Sequence, residues 1–358
     1  MGRSPGFDVA RALAVFGMVI VNFKVVLNAD TGPEWALAFS SILEGRAAAL
    51  FVVLAGVGLA FLTRKAVESG DHVSISSVRW NIVKRGVLLF FFGLVYTPVW
   101  PADILHFYGI YFIVAAAVFT LSDRNLLRMC ALITLLFPLL LFLFDYDIGW
   151  NWETLTYHGL WTVDGMFRHL FFNGFHPVIP WSAFLLIGLW LGRQRFDDPA
   201  RRRKLMLAGF VIWAITELLV KGFHGYLLTA PEWEMTVTEI NEVVTTSVIP
   251  PLPQYIVAAG ALAIGVAMLC VELTERFHGP LVEVLASTGQ MALTLYVLHV
   301  LLGMGTLEEM GYLNAPQSVL LSLGAAGIFC LFAIWFSWIW MKRFKVGPLE
   351  WCFRKLTK

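Results

Sequence analysis

The sequence predicts an all-α, polytopic integral membrane bundle of about ten transmembrane helices, with both termini cytoplasmic. Three observations carry that reading. Hydrophobic residues make up 58% of the 358 and charged residues only 14%, against roughly 45–50% and about 25% in soluble domains. The apolar excess comes in nearly charge-free runs, each long enough to cross a hydrocarbon core of about 30 Å. The basic residues gather on one side of the map that these runs define.

The runs cover 9–27, 43–63, 81–98, 104–121, 129–145, 178–193, 205–221, 251–270, 286–303 and 316–341. Arg64-Lys65, the stretch from Pro98 to Pro101, Asp123-Arg124-Asn125 and the basic run from Arg193 to Lys204 break the chain between them. With the N-terminus inside, the loops near 64–85, 122–128, 193–204 and 271–285 and the tail after 341 are cytoplasmic. With the N-terminal end, that side holds 22 of the 26 Lys and Arg, including Arg3 and Arg11. The remaining four are Lys24, Arg46, Arg168 and Lys221. The first run is interrupted by Asn22 and Lys24, and no small-x-small site follows before Asp30, so it reads as a retained helix and not a cleaved signal. Residues 1–358 form one transmembrane domain, expected in a bacterial inner membrane, with the lipid bilayer as its surroundings.

The outer side has a different character. Segments 146–177 and 222–250 carry Trp150, Trp152, Tyr157, Trp161, Tyr226 and Trp233 among acidic residues, which fits interfacial helices or a lid at headgroup level. Cys130, Cys270, Cys330 and Cys352 include no C-x-x-C and no metal-ligand spacing, so free thiols and no metal are expected. There is no P-loop, G-x-G-x-x-G, H-E-x-x-H or G-x-S-x-G, which leaves no nucleic-acid or dinucleotide module and no permanently bound cofactor.

Ionisable groups at membrane depth cost energy, so each needs a reason. They concentrate near the outer ends of several helices. Asp103-Ile-Leu-His106 is the sharpest signal: three residues apart, the two side chains share a helix face. A carboxylate there would orient an imidazole for general-base work; alternatively Asp103 caps the helix and His106 bonds a neighbour. His176-Pro-Val-Ile-Pro-Trp181 forces non-helical backbone where only a cavity lining or protein burial tolerates it. His176 and Trp181 therefore line a substrate cavity, or the prolines merely set a helix angle. In Glu44-Gly-Arg46 the two charges do not share a face, so Arg46 needs a buried acid or a ligand anion. Tyr296 and His299 again stand three apart, as a packing pair or part of the site. Lys24 is expected to snorkel to the outer surface. Arg11 and Arg85 lie where an inner opening would meet phosphates, or where anionic lipid would. Gly188-x-x-x-Gly192 allows close helix packing.

The stretch from Asp8-Val-Ala-Arg11 through an apolar run to Val21-Asn22 resembles the opening helix of the YeiB-like membrane proteins and of the heparan-α-glucosaminide N-acetyltransferase family. Glu44-Gly-Arg46 to Gly58, Asp103-Ile-Leu-His-Phe-Tyr-Gly109, His176-Pro to Gly192-Arg193 and Gly347-Pro-Leu-Glu-Trp351 fit in order, the last a YeiB-like ending. The resemblance implies transfer of an acyl group, acetyl by preference, from cytoplasmic acyl-CoA to a hydroxyl or amine on the outer side. The acceptor would be an envelope glycan or a related small molecule. Under it, His106 with Asp103, or His176, supplies the base. Asn22, Glu44, Arg46, Trp181 and His299 serve substrate or oxyanion, and Arg11, Arg85 and Arg193 meet the donor's phosphates. The acetyltransferase family carries its catalytic His about eleven residues after Val-Asn. Here that offset lands on Pro33, and no His occurs between Asn22 and Glu44. Either His106 or His176 has taken that role, or the activity differs. A transporter or translocator of a small amphipathic or glycan substrate, and a non-catalytic scaffold, are the competing classes; an oligomer fits any of the three.

Overall fold

The computed structural model describes residues 4–229 and 235–357. Arg3 and Trp233 lie outside them. The chain opens with α1 (Pro5–Val26), then α2 (Glu34–Leu43), α3 (Arg46–Ser69), α4 (His72–Tyr96), α5 (Leu105–Val118) and α6 (Asp123–Leu143). A two-stranded hairpin, β1 (Trp150–Asn151) against β2 (Thr156–Tyr157), leads to α7 (Val163–Arg168), which runs into a π-helical turn, His169–Asn173. Then come α8 (Val178–Leu191), α9 (Pro199–Thr229), α10 (Val237–Val243), α11 (Pro253–Arg276), α12 (Pro280–Gln290) and α13 (Ala292–Leu298). A second π-helical turn, His299–Met304, continues into α14 (Gly305–Glu309); α15 (Val319–Arg343) and the short α16 (Pro348–Leu356) complete the chain.

Local chemistry sets many of these boundaries. Asp71 accepts the backbone N–H groups of Val73 and Ser74 at the start of α4, and Ser122 and Ser318 do the same service for α6 and α15. Pro280 and Pro348 occupy first-turn positions where a missing N–H costs nothing.

Among the described residues six helical segments are long and apolar enough to cross a membrane: Pro5–Val26, Glu34–Ser69, Asp123–Leu143, Pro199–Thr229, Pro253–Arg276 and Val319–Arg343. Two bent pairs bring the number to as many as eight. Val163–Asn173 joins Val178–Leu191 at 50°, and Pro280–Gln290 joins Ala292–Glu309 at 70°. A helix coincides with each of the ten predicted runs, but two of the ten fall short of the criterion. The run 81–98 is the later part of α4; it contains Lys84 and Arg85 itself, and Arg79 just precedes it. The run 104–121 contracts to α5, 14 residues, or about 21 Å at 1.5 Å per residue, short of the core thickness. Its first turn is buried from the outset.

Helices α1, α3 and α11 form the centre, with α6, α9 and α15 around them. The outer helices turn Leu132, Leu135 and Phe142, Leu218 and Leu219, and Ile328 and Leu331 outward, all more than half exposed. Such contiguous apolar surface is a liability in water and the right complement to lipid tails. With the apolar helices and the family described below, it makes this an integral membrane protein. Contacts inside the bundle rely on missing side chains. A Cβ at Gly56 would lie 2.1 Å from the Leu185 carbonyl, and one at Gly188 would lie 1.9 Å from that of Val53, so α3 and α8 meet backbone to backbone. This is the close packing expected around Gly188.

The two ends differ. One, the basic end, gathers Arg64, Lys65, Arg193, the Arg201 to Lys204 run and Arg276. There Arg202, Arg203 and Arg276 all bond Glu272, tying α9 to α11. The other, the aromatic end, holds the hairpin and the α4–α5 connection. The segment 146–177, expected as a lid or interfacial helices, is that hairpin plus α7 and its π turn. Of 222–250, α9 takes up the beginning and α10 the middle. All four cysteines are free.

Candidate active site

Helix α5 starts at the aromatic end of a close α4–α5 contact. A Cβ on Gly93 would stand 2.2 Å from the backbone nitrogen of His106, so only glycine lets α4 lie against this turn. The Asp103 carboxylate accepts the backbone N–H of Leu105 (2.9 Å) and of His106 (3.2 Å), which fixes the helix start. The same Oδ2 accepts Nδ1–H of His106 at 3.0 Å, with both side chains wholly buried. Capping and orienting were posed as alternatives; one carboxylate does both. With its proton held on Nδ1, His106 carries a lone pair on Nε2, an atom without a protein partner.

A second helix break supports this pair. Tyr296 on α13 donates its hydroxyl to Asp103 Oδ1 at 3.2 Å and accepts Ile104 N–H at 3.1 Å. His299, where the second π turn begins, donates Nδ1–H to the Tyr296 carbonyl and receives the Asn22 amide on Nε2 at 2.9 Å. Asn22, His299, Tyr296, Asp103 and His106 thus belong to one network across α1, α13 and α5. His176 lies beside it, packed on Phe107 and edge-on to Trp181 at 4.6 Å between ring centres. The His176 carbonyl accepts the Tyr111 hydroxyl at 2.5 Å.

Three predicted residues have other partners. Arg46 donates to Glu217 at 2.5 Å and to Thr246 at 3.1 Å, so its buried acid comes from α9. Glu44 pairs with Lys24 at 2.8 Å, and Lys24 also reaches Asp30 at 3.4 Å. Lys24 is therefore tied into ion pairs instead of snorkelling free. Arg193 donates to the carbonyls of Phe119 and Leu121 and to Asp123 (3.1 Å). It closes the end of α5, whose last carbonyls have no helical partner.

A cavity of about 840 Å³ runs from the basic end toward this network. Its lining includes Arg11, Arg64, Lys65, Arg85 and Arg354 together with Phe51, Leu105 and Tyr108, and Leu105 is the residue before His106. Arg11 is bound to Asp8 at 2.5 Å and Arg64 to Glu68 at 2.7 Å. Arg85 and Arg354 make no ion pair among the described residues, and the two guanidiniums repel one another. Two like charges aimed into one cavity suit a polyvalent anion.

Arg354 was not among the sequence candidates. The Gly347-Pro-Leu-Glu-Trp351 segment delivers it. Glu350 accepts Leu293 N–H (2.8 Å), Thr294 N–H (3.2 Å) and the Thr294 hydroxyl (2.6 Å), while Thr294 Oγ1 accepts Leu349 N–H (3.1 Å). The carboxylate caps α13 at the break from α12 and pins α16 against the cavity. Glu350→Ala is expected to cost roughly 0.5–2 kcal/mol, the range for a lost cap. It should be read as a fall in melting temperature that Glu350→Gln, able to accept but uncharged, corrects in part.

His169 was also missed. It sits 1% exposed on the first π turn, its ring 5.6 Å from that of His106 and nearly parallel to it (16°). The sequence offered only a histidine in a long loop; the fold brings it home. Among the described residues no group of three His, Cys, Asp or Glu is placed to hold a metal.

Residues 190–358 match the family described as protein of unknown function DUF418. A Bacillus subtilis (strain 168) relative, uncharacterized protein YxaH, is 23% identical over an alignment covering 98% of this chain and 93% of its own. Residues 3–231, which include Asn22, Asp103, His106, His169 and His176, match the family described as heparan-α-glucosaminide N-acetyltransferase, catalytic. On the strength of that match, which spans more than half of its length, the chain belongs to the heparan-α-glucosaminide N-acetyltransferase catalytic family and carries a YeiB-like, DUF418-type C-terminal part.

Proposed function

We propose that this protein moves an acyl group, acetyl by preference, from cytoplasmic acyl-CoA to a hydroxyl or amine on the far side of the membrane. The observation that carries the reading is the cavity, lined by cations of the basic end and by Leu105, the residue before His106. The positive-inside rule assigns that end to the cytoplasm. Phosphates of the donor would meet Arg85 and Arg354, and its thioester arm would extend past Phe51 and Tyr108 toward Leu105.

There His106 Nε2 takes the proton of the acceptor as its oxygen or nitrogen attacks the thioester carbonyl. The imidazolium so formed is stabilised by Asp103, whose other oxygen is held by Tyr296. Collapse of the tetrahedral adduct breaks the carbon–sulfur bond, and His106 returns the proton to the departing CoA thiolate. Atoms balance without any further reagent. Pro33, at the offset where the family places histidine, begins α2 and has no proton to exchange; His106 fills the vacancy in this reading.

The test is direct. Acetyl-CoA should raise the melting temperature of the purified protein and, with an acceptor, release free CoA thiol. No stabilisation and no thiol release would remove the reading. A second reading, translocation of a small amphipathic substrate, has one observation in its favour. Two helices are broken, and one of them carries Tyr296 and His299 of the buried polar network; broken helices of this kind are found at substrate sites in transporters. Flux into proteoliposomes without acyl-CoA consumption would select it.

A further inference from the structure

At the aromatic end a second, smaller pocket of about 170 Å³ opens between the hairpin and the α4–α5 connection. Its lining includes Trp150, Tyr157, Trp161, Phe175 and His169, and none of its lining residues is charged. Trp150 stands edge-on to Phe175 at 4.7 Å, Tyr157 edge-on to His169 at 4.7 Å, and Trp161 is 65% exposed at the rim.

The pocket is a built feature, because one buried amide organises it. Asn173 donates to the carbonyls of Tyr146 (2.7 Å) and Ile148 (2.9 Å). Its own side-chain oxygen accepts the Tyr157 hydroxyl at 2.9 Å, and its carbonyl accepts Trp150 Nε1–H at 2.6 Å. Arg168 adds a bond to the Tyr157 oxygen at 2.9 Å. His169 is the residue after Arg168 and the first of the π turn that ends at Asn173, so its ring is held in place from both sides. Irregular turns of this kind recur at functional sites. Yet its Nδ1 is buried with no partner, which is expensive for a group with no function to serve.

His169 therefore stands between two compartments. On one side is the aromatic pocket; on the other, 5.6 Å away, is His106. We propose that this pocket is the acceptor's docking site and that His169 touches the acceptor, hydrogen-bonding its nucleophilic group and presenting it to His106. The inference rests on the acyl-transfer reading. The uncharged aromatic lining selects a compact, uncharged ring bearing hydroxyl groups, whose apolar face lies on the indole and phenol rings while a hydroxyl reaches His169. His169 acts here as a positioning group, and the proton still goes to His106.

The experiment separates donor from acceptor effects, with acetyl-CoA as donor and methyl glucoside and glucosamine as acceptor probes. His169→Ala should raise the half-saturating acceptor concentration about tenfold, the equivalent of one hydrogen bond. Half-saturation by acetyl-CoA should not change. His169→Gln, which keeps a hydrogen-bonding group, should recover most of the loss, which a merely structural role would not predict. A bulky maleimide on Thr156→Cys, an exposed residue of the rim, in a Cys352→Ser background that removes the exposed native thiol, should block transfer but leave stabilisation by acetyl-CoA intact. Unchanged acceptor saturation in His169→Ala, or full transfer by the blocked Thr156→Cys protein, would overturn the proposal. Preference for glucosamine over methyl glucoside would overturn the assignment to an uncharged ring. A wild-type protein that neither binds nor consumes acetyl-CoA would instead remove the underlying reading, and the proposal with it.

Discussion

His106→Ala is expected to lower acyl transfer by about 10²–10⁴-fold, the usual contribution of a positioned general base, with acetyl-CoA still stabilising the protein. In the proposed reading the donor's phosphates meet Arg85 and Arg354 and not His106, so binding and chemistry are separable. Asp103→Asn should give a different profile. An amide cannot stabilise an imidazolium and can leave His106 in the wrong tautomer, so turnover falls to a similar degree. The amide oxygen can still accept the N–H groups of Leu105 and His106 that Asp103 now holds, so the helix start survives. Asp103→Ala loses both functions and should also unfold more readily. Turnover by His106→Ala within a few-fold of wild type would move the base elsewhere, with His176, on the other side of Phe107, the next to vary. Tyr296→Phe offers a graded control. It removes one bond to Asp103 (3.2 Å) but not the Nδ1 contact, and should slow transfer less than either change at the pair.

What the sequence made legible follows from the range over which each signal acts. Apolar runs are local, so helix lies over each of the ten, yet among the described residues only six to eight of them are long and apolar enough to span, and 286–303 is bent by 70° between α12 and α13. Asp103 and His106 were legible because they stand three apart at a helix start, although Asp103 precedes α5 and reaches His106 as its cap, not from a shared helix face. Partners across the bundle were not. Arg46 announced that it needed an acid, but nothing in the chain points to Glu217, 171 residues away. Arg193 looked like one more cation near the inner face, yet it serves the carbonyls that end α5. His169 was invisible because its neighbours arrive only when the 146–177 segment folds back over α5, held by Asn173. The short, tolerant tail motif around Glu350 marked the resemblance correctly but said nothing of its work. That work appears only where α16 meets the break between α12 and α13.

That same contact governs the second large effect. A guanidinium facing a phosphate makes a charge-assisted hydrogen bond, worth about 1.5–3 kcal/mol. Loss of Arg85 or of Arg354 should therefore weaken donor binding by roughly 10–150-fold. The double variant should fall short of the product of the two, since both groups would share one polyanion and relieve each other's repulsion when either is removed. Arg85→Lys keeps the charge but loses the planar fork, so its affinity should lie between wild type and Arg85→Ala. Raising salt should weaken donor binding in the wild type more than in either variant, because the exposed Arg354 is screened. Arg193→Ala is the contrast that gives the result its meaning: it should lower thermal stability by unsatisfying the end of α5 and leave acetyl-CoA affinity unchanged. Glu350→Ala should fall between these classes, weakening the donor as well as the fold, because the helix it pins carries Arg354. Isothermal titration with acetyl-CoA decides among them. Equal losses at Arg193 and Arg85 would mean that the cationic cavity binds nothing in particular and that its charge only sets the direction of the chain in the membrane.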